Sequence, residues 1–160
     1  MLAFLEQEIA AIQQQIREHI EQHPDLKQRR DLLTSIPGVA DTTAAAILAE
    51  LGQMNQFSAA RQVAAFAGLV PKIRQSGSSV RGRSTLSKRG SSRLRHSLYF
   101  PAIPAMRFNP LVRALAERLR ERGKAKMVIV AAAMRKLLHI AYGVLKSGKP
   151  FDPNFSARSA

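Results

Sequence analysis

Leu2, Leu5, Ile9, Ile12 and Ile16 recur at a 3-4-3-4 spacing. That spacing predicts a helix from Leu2 to Ile20 with one apolar seam, the pattern of a short coiled-coil arm. Glu and Gln occupy its other faces. Pro24 ends the arm, and Asp25 is placed to cap a second helix running to about Thr34. The turn Ser35 to Asp41 leads into an Ala-rich helix from Thr42 to Leu51, closed by Gly52. Ser58 caps a short helix from Ala59 to Ala67, ended by Gly68. Helical patterning returns at Arg93 and runs to about Arg107, with Pro101 and Pro104 expected to kink or interrupt it. Asn109-Pro110 opens the next helix, with Leu111, Leu115 and Leu119 on one side and Gly123 at its end. The last helix, from about Ala125 to Leu145, is expected to bury Met127, Val130, Met134, Leu137, Leu138, Ala141 and Val144. Strand signals are nearly absent. The pattern predicts an all-α chain, with an arm over 1–24, a helical domain over 25–153 and a tail over 154–160.

Composition changes this picture in two ways. The chain has no Cys, which removes disulfides, thiolate zinc sites, iron–sulfur clusters and cysteine nucleophiles and fits a reducing compartment. Met1 to Leu5 runs into Glu6 and Glu8 without a basic flank, unlike a secretory signal, and the apolar run Met127 to Met134 is too short to span a bilayer. Charge is more informative. Of the formal net charge of +14, residues 1–60 carry −4 and residues 61–160 carry +18. A segment so basic repels itself and is relieved by phosphate, so its expected partner is a nucleic acid. The acidic first part has another task, such as assembly.

Candidate chemistry concentrates in two places. Helix, Ile36-Pro37-Gly38-Val39-Ala40 turn and helix together form a helix-hairpin-helix pattern, in which backbone N–H groups at Gly38, Val39 and Ala40 meet a phosphate. The usual hairpin has Gly where Ala40 stands, and Ala at a positive φ costs roughly 1 kcal/mol. An ordinary hairpin that packs Ile36, Val39, Ile47 and Leu48 inward satisfies the same sequence. The second place is the Ser- and Gly-containing stretch from Lys72 to Arg95, with eight basic residues and no acid: Lys72, Arg74, Arg81, Arg83, Lys88, Arg89, Arg93 and Arg95. Hydroxyls, open amides and guanidinium forks in one loop suit phosphate chemistry. Gly77 to Ser84 imitates a phosphate-loop motif, but no buried strand precedes it and no acidic strand follows, so that reading fails. His19 and His23 share a helical face without a third ligand and read as seam or helix-end residues, and His96 and His139 read as structural or surface residues.

Several short motifs stand in order: Ile36-Pro37-Gly38-Val39, Phe66-Ala67-Gly68-Leu69-Val70-Pro71, Ser76-Gly77, Leu86-Ser87-Lys88-Arg89-Gly90, Leu94-Arg95, Asn109-Pro110 and Met134-Arg135-Lys136-Leu137-Leu138. This order, over roughly Leu32 to Pro153, resembles the C-terminal transposase domain of the Piv-type (IS-one-ten) insertion-sequence transposases. The resemblance implies a two-part DNA recombinase: a RuvC-like domain holding divalent metal such as Mg on four acids, and a C-terminal domain supplying a serine nucleophile. It also implies a coiled coil that mediates homo-oligomer assembly and a bridging guide RNA. Carried over by motif, the nucleophile is Ser76, and Gly77 is the glycine that follows it. Attack on a backbone phosphate gives a phosphoserine that conserves bond energy for strand exchange. Arg74, Arg81 and Arg83 are candidates for stabilising the pentavalent phosphate.

This chain departs from the resemblance in one respect: no RuvC-like part is present, and its acids lie mostly in the arm and first hairpin. The expectation is a chain with no cofactor of its own, cytoplasmic and nucleoid-associated, which binds DNA and needs a metal-bearing partner for recombination. Two other readings compete. One is a non-catalytic helix-hairpin-helix protein that binds DNA or RNA architecturally; the other is a basic amphipathic protein on anionic membrane, which the scarcity of aromatics on the basic faces disfavours.

Overall fold

The 3–4 periodicity becomes seven α-helices in the computed structural model, which describes residues 1–52, 54–72, 75–76, 80–81 and 85–154, the backbone alone at 75–76 and 80–81. In order these are α1 (Leu2–Gln22), α2 (Pro24–Thr34), α3 (Asp41–Leu51), α4 (Ala60–Phe66), α5 (Ser92–Phe108), α6 (Pro110–Glu121) and α7 (Lys126–Ser147). The all-α expectation holds. Four two-residue strands fall in the basic stretch: β1 (Pro71–Lys72), β2 (Gln75–Ser76), β3 (Val80–Arg81) and β4 (Thr85–Leu86).

The core forms where apolar faces of α4, α5 and α6 close on α7, with α3 packed against α5. Leu137 and Leu138 on α7, Leu94 and Leu98 on α5, Ile47 and Leu51 on α3 and Val63 on α4 are completely buried. Each such side chain stabilises the fold by about 1.5–3 kcal/mol relative to exposure. One expected core position is corrected: Met127 is 61% exposed, and Ile129 opens the buried stripe instead. Val128 beside it is exposed as well, so the first turn of α7 contributes little to the core. By length and apolar composition α7 is able to cross a membrane. Here its buried residues from Ile129 to Val144 face α4, α5 and α6, as in the central helix of a bundle.

α5 is continuous through Pro101 and Pro104, where a kink or interruption is expected from sequence. A proline inside a helix costs about 3 kcal/mol through a lost hydrogen bond and a ring clash. Burial of Leu94, Leu98, Ala102 and Ala105 along one face of α5 offsets that cost. Both small alanines permit close approach: a Cβ on Gly38 would lie 2.7 Å from Ala105 Cβ and 3.0 Å from the Pro101 carbonyl oxygen. Glycine is therefore required at that contact.

Asn109 ties α5, α6 and the first hairpin together. It is fully buried, its Oδ1 accepts from the N–H groups of Leu111 (3.1 Å) and Val112 (3.3 Å), and its Nδ2 donates to the Pro37 carbonyl at 3.3 Å. Pro110 follows at the first helical position, where its missing N–H costs nothing. On the far side, the Phe151 N–H donates to Ser35 Oγ at 2.9 Å and draws the end of the described chain over α2.

α1 stands apart. Its packing is on α2, and Ile20 is its one buried residue. Leu2, Leu5, Ile9, Ile12 and Ile16 are all exposed. His23 closes the helix, its Nδ1 lying 2.7 Å from the His19 carbonyl oxygen, so this histidine pair ends a helix and does not gather ligands. Lys27 and Arg30 both bind Glu21, at 2.6 and 2.7 Å, and these hydrogen bonds hold the Glu21 carboxyl below its ordinary pKa.

Candidate nucleic-acid interface

Backbone pairing organises the basic stretch, which the sequence presents as a loop. β1 pairs antiparallel with β4 (Pro71 with Leu86, Lys72 with Thr85), and β2 pairs with β3 (Gln75 with Arg81, Ser76 with Val80). The ladders are nested, one residue out of register: two residues separate β1 from β2, and three separate β3 from β4. Ser76 therefore stands on the outer rung, beside the three-residue tip. Such short ladders are marginal alone.

Their stability comes from the feet. The Ser87 N–H donates to the Val70 carbonyl at 2.9 Å, Lys88 to Gly68 at 3.2 Å and Ser91 to Phe66 at 2.7 Å. These bonds lay the chain leaving β4 across the C-terminal end of α4. The approach is close enough that a Cβ on Gly90 would lie 2.1 Å from the Phe66 carbonyl oxygen, and Gly90 has φ +133°. Lys88 adopts φ +52°, a left-handed conformation uncommon for a residue with a side chain. Ser91 caps α5 by accepting from the Leu94 N–H at 3.1 Å and donates its hydroxyl to Glu50 Oε2 at 2.6 Å. Glu50 thus fixes the base of the basic hairpin from α3.

The expected contact residues separate into groups. Lys72, Lys88, Arg89 and Arg93 are exposed and, among the described residues, in no ion pair. They surround the hairpin's feet and the N-terminus of α5, whose backbone dipole adds to their positive field. Arg95 is corrected: it is half-buried, and its Nη1 donates to the Ala67 carbonyl at 3.0 Å, so it braces α4 against α5. Arg74, Gly77 and Arg83 lie outside the described residues. For Ser76 and Arg81 the structure gives backbone pairing only.

The first hairpin is corrected as well. Ala40 has φ −100°, and the positive φ belongs to Gly38 at +103°. Gly38 uses its missing Cβ to approach Ala105 of α5. Val39 is buried, and its N–H donates to the Ile36 carbonyl at 3.0 Å. Asp41 occupies the first turn of α3, 3.7 Å from Arg30, where an incoming phosphate meets a like charge. Ile36, Ile47 and Leu48 are buried. The apolar residues of the hairpin are thus packed inward, and the Val39 N–H is already engaged.

Sequence reasoning left one cluster outside the site. Arg118, Arg120, Arg122, Lys124 and Lys126 are all exposed around the turn from α6 to α7. Their mixture with Glu117 and Glu121 hid them from a search for acid-free runs. Among the described residues no three His, Asp or Glu side chains converge as metal ligands.

Residues 30–117 match the transposase IS116/IS110/IS902 family, more than half of the chain. The chain belongs to this transposase family. Its relatives include the pilin gene-inverting protein of Moraxella bovis, 36% identical over 145 residues, which cover 90% of this chain and 45% of that protein. An insertion element IS110 protein of 43.6 kDa from Streptomyces coelicolor is 29% identical over 147 residues, 92% of this chain and 35% of the relative. The transposase for insertion sequence element IS1111A of Coxiella burnetii is 41% identical over 73 residues, 46% of this chain and 20% of the relative. This transposase-family chain thus spans less than half the length of these relatives. The family match begins within α2 and ends within α6, so it contains the whole basic hairpin and both of its feet.

Proposed function

We propose that this chain is the DNA-binding and strand-exchange half of an insertion-sequence transposase, with Ser76 as its nucleophile. The observation that carries this reading is the clamped basic hairpin: Ser76 lies on its outer ladder, and the exposed cations Lys72, Lys88, Arg89 and Arg93 surround its feet. The Ser76 oxygen would form an ester with a backbone phosphorus as the bond to a deoxyribose oxygen breaks and that oxygen takes up a proton. The phosphoester retains the energy needed to rejoin strands. Arg74, Arg81 and Arg83 would offset charge on the pentavalent phosphate. The stretch from Lys72 to Arg95 contains no acid, and Glu50, the carboxylate at its base, is engaged by Ser91. Activation is therefore assigned to a metal-bearing RuvC-like partner domain, a bridging RNA to target choice, and the exposed seam of α1 to homo-oligomer assembly. The corresponding location is the bacterial or archaeal cytoplasm, at the nucleoid.

The test supplies the acidic domain in trans and compares wild type with Ser76→Ala. The expected result is unchanged DNA binding with strand exchange abolished. Equal exchange by the two proteins removes Ser76 from the mechanism. In that case the competing reading, a non-catalytic architectural binder, accounts for the basic hairpin by itself.

A further inference from the structure

Beyond the hairpin, the bundle contains a cavity of about 580 Å³ between the C-terminal half of α7, the start of α6 and the segment from Lys149 to Asn154. Its walls include Leu111, Ile140, Val144 and Phe151. Gly143 lines it, with nothing within 4 Å of the position a Cβ would take. Lys136 and Lys149 also line it, as does Asp152. His139 lines the same space.

We infer that this cavity takes one unpaired nucleotide of a nucleic-acid strand, with its base between the aliphatic walls and Phe151 and its phosphate toward Lys136 and Lys149. Apolar walls with a few polar groups, at this volume, are the features of a site for a planar organic group. A bare inorganic anion gains little from such walls and loses its hydration. The Asp152 carboxylate offers an acceptor to the donors on a base edge, whereas a hydrocarbon chain has no use for it. A base held in the cavity must be out of its stack, so the cavity selects single-stranded or bulged nucleic acid over uninterrupted duplex. This inference rests on the nucleic-acid reading above and adds a second contact to it.

The test measures fluorescence anisotropy of the full chain with a labelled DNA single strand of about 12 nucleotides, the matching RNA and the blunt DNA duplex. Gly143→Leu fills the cavity from a position with open space around it. Its affinity for at least one single strand is expected to fall about ten-fold while duplex affinity holds. Whichever strand loses affinity, DNA or RNA, identifies the source of the nucleotide. On the wild-type protein, the same strand is expected to move the His139 ring resonance in an NMR titration. Unchanged single-strand binding by Gly143→Leu, an equal loss on duplex, or an unmoved His139 resonance overturns the cavity assignment and leaves the hairpin reading standing. Failure of the wild type to bind any of the three probes overturns both.

Discussion

At the scale of single residues, Asn109 and His139 illustrate opposite outcomes of burial. Asn109 is fully buried with three hydrogen bonds, so removing it leaves the first turn of α6 uncapped and the Pro37 carbonyl unpaired. Asn109→Ala is expected to lose about 1–3 kcal/mol in urea unfolding, and Asn109→Asp, which keeps the cap but not the donor, to lose less. His139 is shielded without a partner, and burial, with Arg135 and then Lys136 nearby, pulls its pKa below the ordinary 6.5. Lys149 and Asp152 face it from the C-terminal segment across the cavity. Because the folded state holds this imidazole neutral, the unfolded chain binds more protons as pH drops below about 6.5. Stability from this group is therefore complete above that pH and declines below it, until the folded-state pKa is passed. His139→Gln is expected to flatten the fall in thermal midpoint between about pH 7 and 5. An unchanged slope would assign the acid sensitivity to other groups.

Among elements, α1 and the basic hairpin are the two that lack a core of their own. α1 presents an apolar seam that nothing among the described residues covers. Ile9→Lys with Ile12→Lys is expected to leave the thermal midpoint unchanged, since both side chains are already exposed, and to lower the mass seen by light scattering if the seam joins copies. A fall in midpoint with constant mass would instead place the seam against its own domain. The hairpin depends on its feet, where Ser87, Lys88 and Ser91 bond the end of α4 and Ser91 bonds Glu50. α5 shows how packing overrides local preference: two interior prolines are outweighed by a buried face of leucines and alanines.

For the whole molecule, the uneven charge is a statement about salt. A basic half of +18 that meets DNA phosphates releases counterions, so log K is expected to fall linearly with log salt. Neutralising Lys72, Lys88, Arg89 or Arg93 one at a time is expected to reduce that slope by about one each, measured by titration at several salt concentrations. Arg95→Gln is expected to lower the thermal midpoint first, because its guanidinium braces α4. Lys88 and Arg95 read alike as charges in a basic run, and nothing in their spacing separates one that faces water from one that binds a carbonyl. The seven helices, the acidic arm and the basic stretch were legible from periodicity and composition, because these depend on neighbours three or four residues apart; the expected caps Asp25 and Ser58 were not the residues that cap α2 and α4. Contacts between distant segments were not legible. Gly38 against Ala105, Asn109 on Pro37, Glu50 on Ser91 and the cavity beside His139 join residues far apart in the chain. Sequence by itself determined an all-α chain with an acidic arm and a strongly basic second half. Only tertiary packing decided which glycine serves a helix contact, which arginine is structural and where a cavity opens, because those outcomes depend on which surfaces meet.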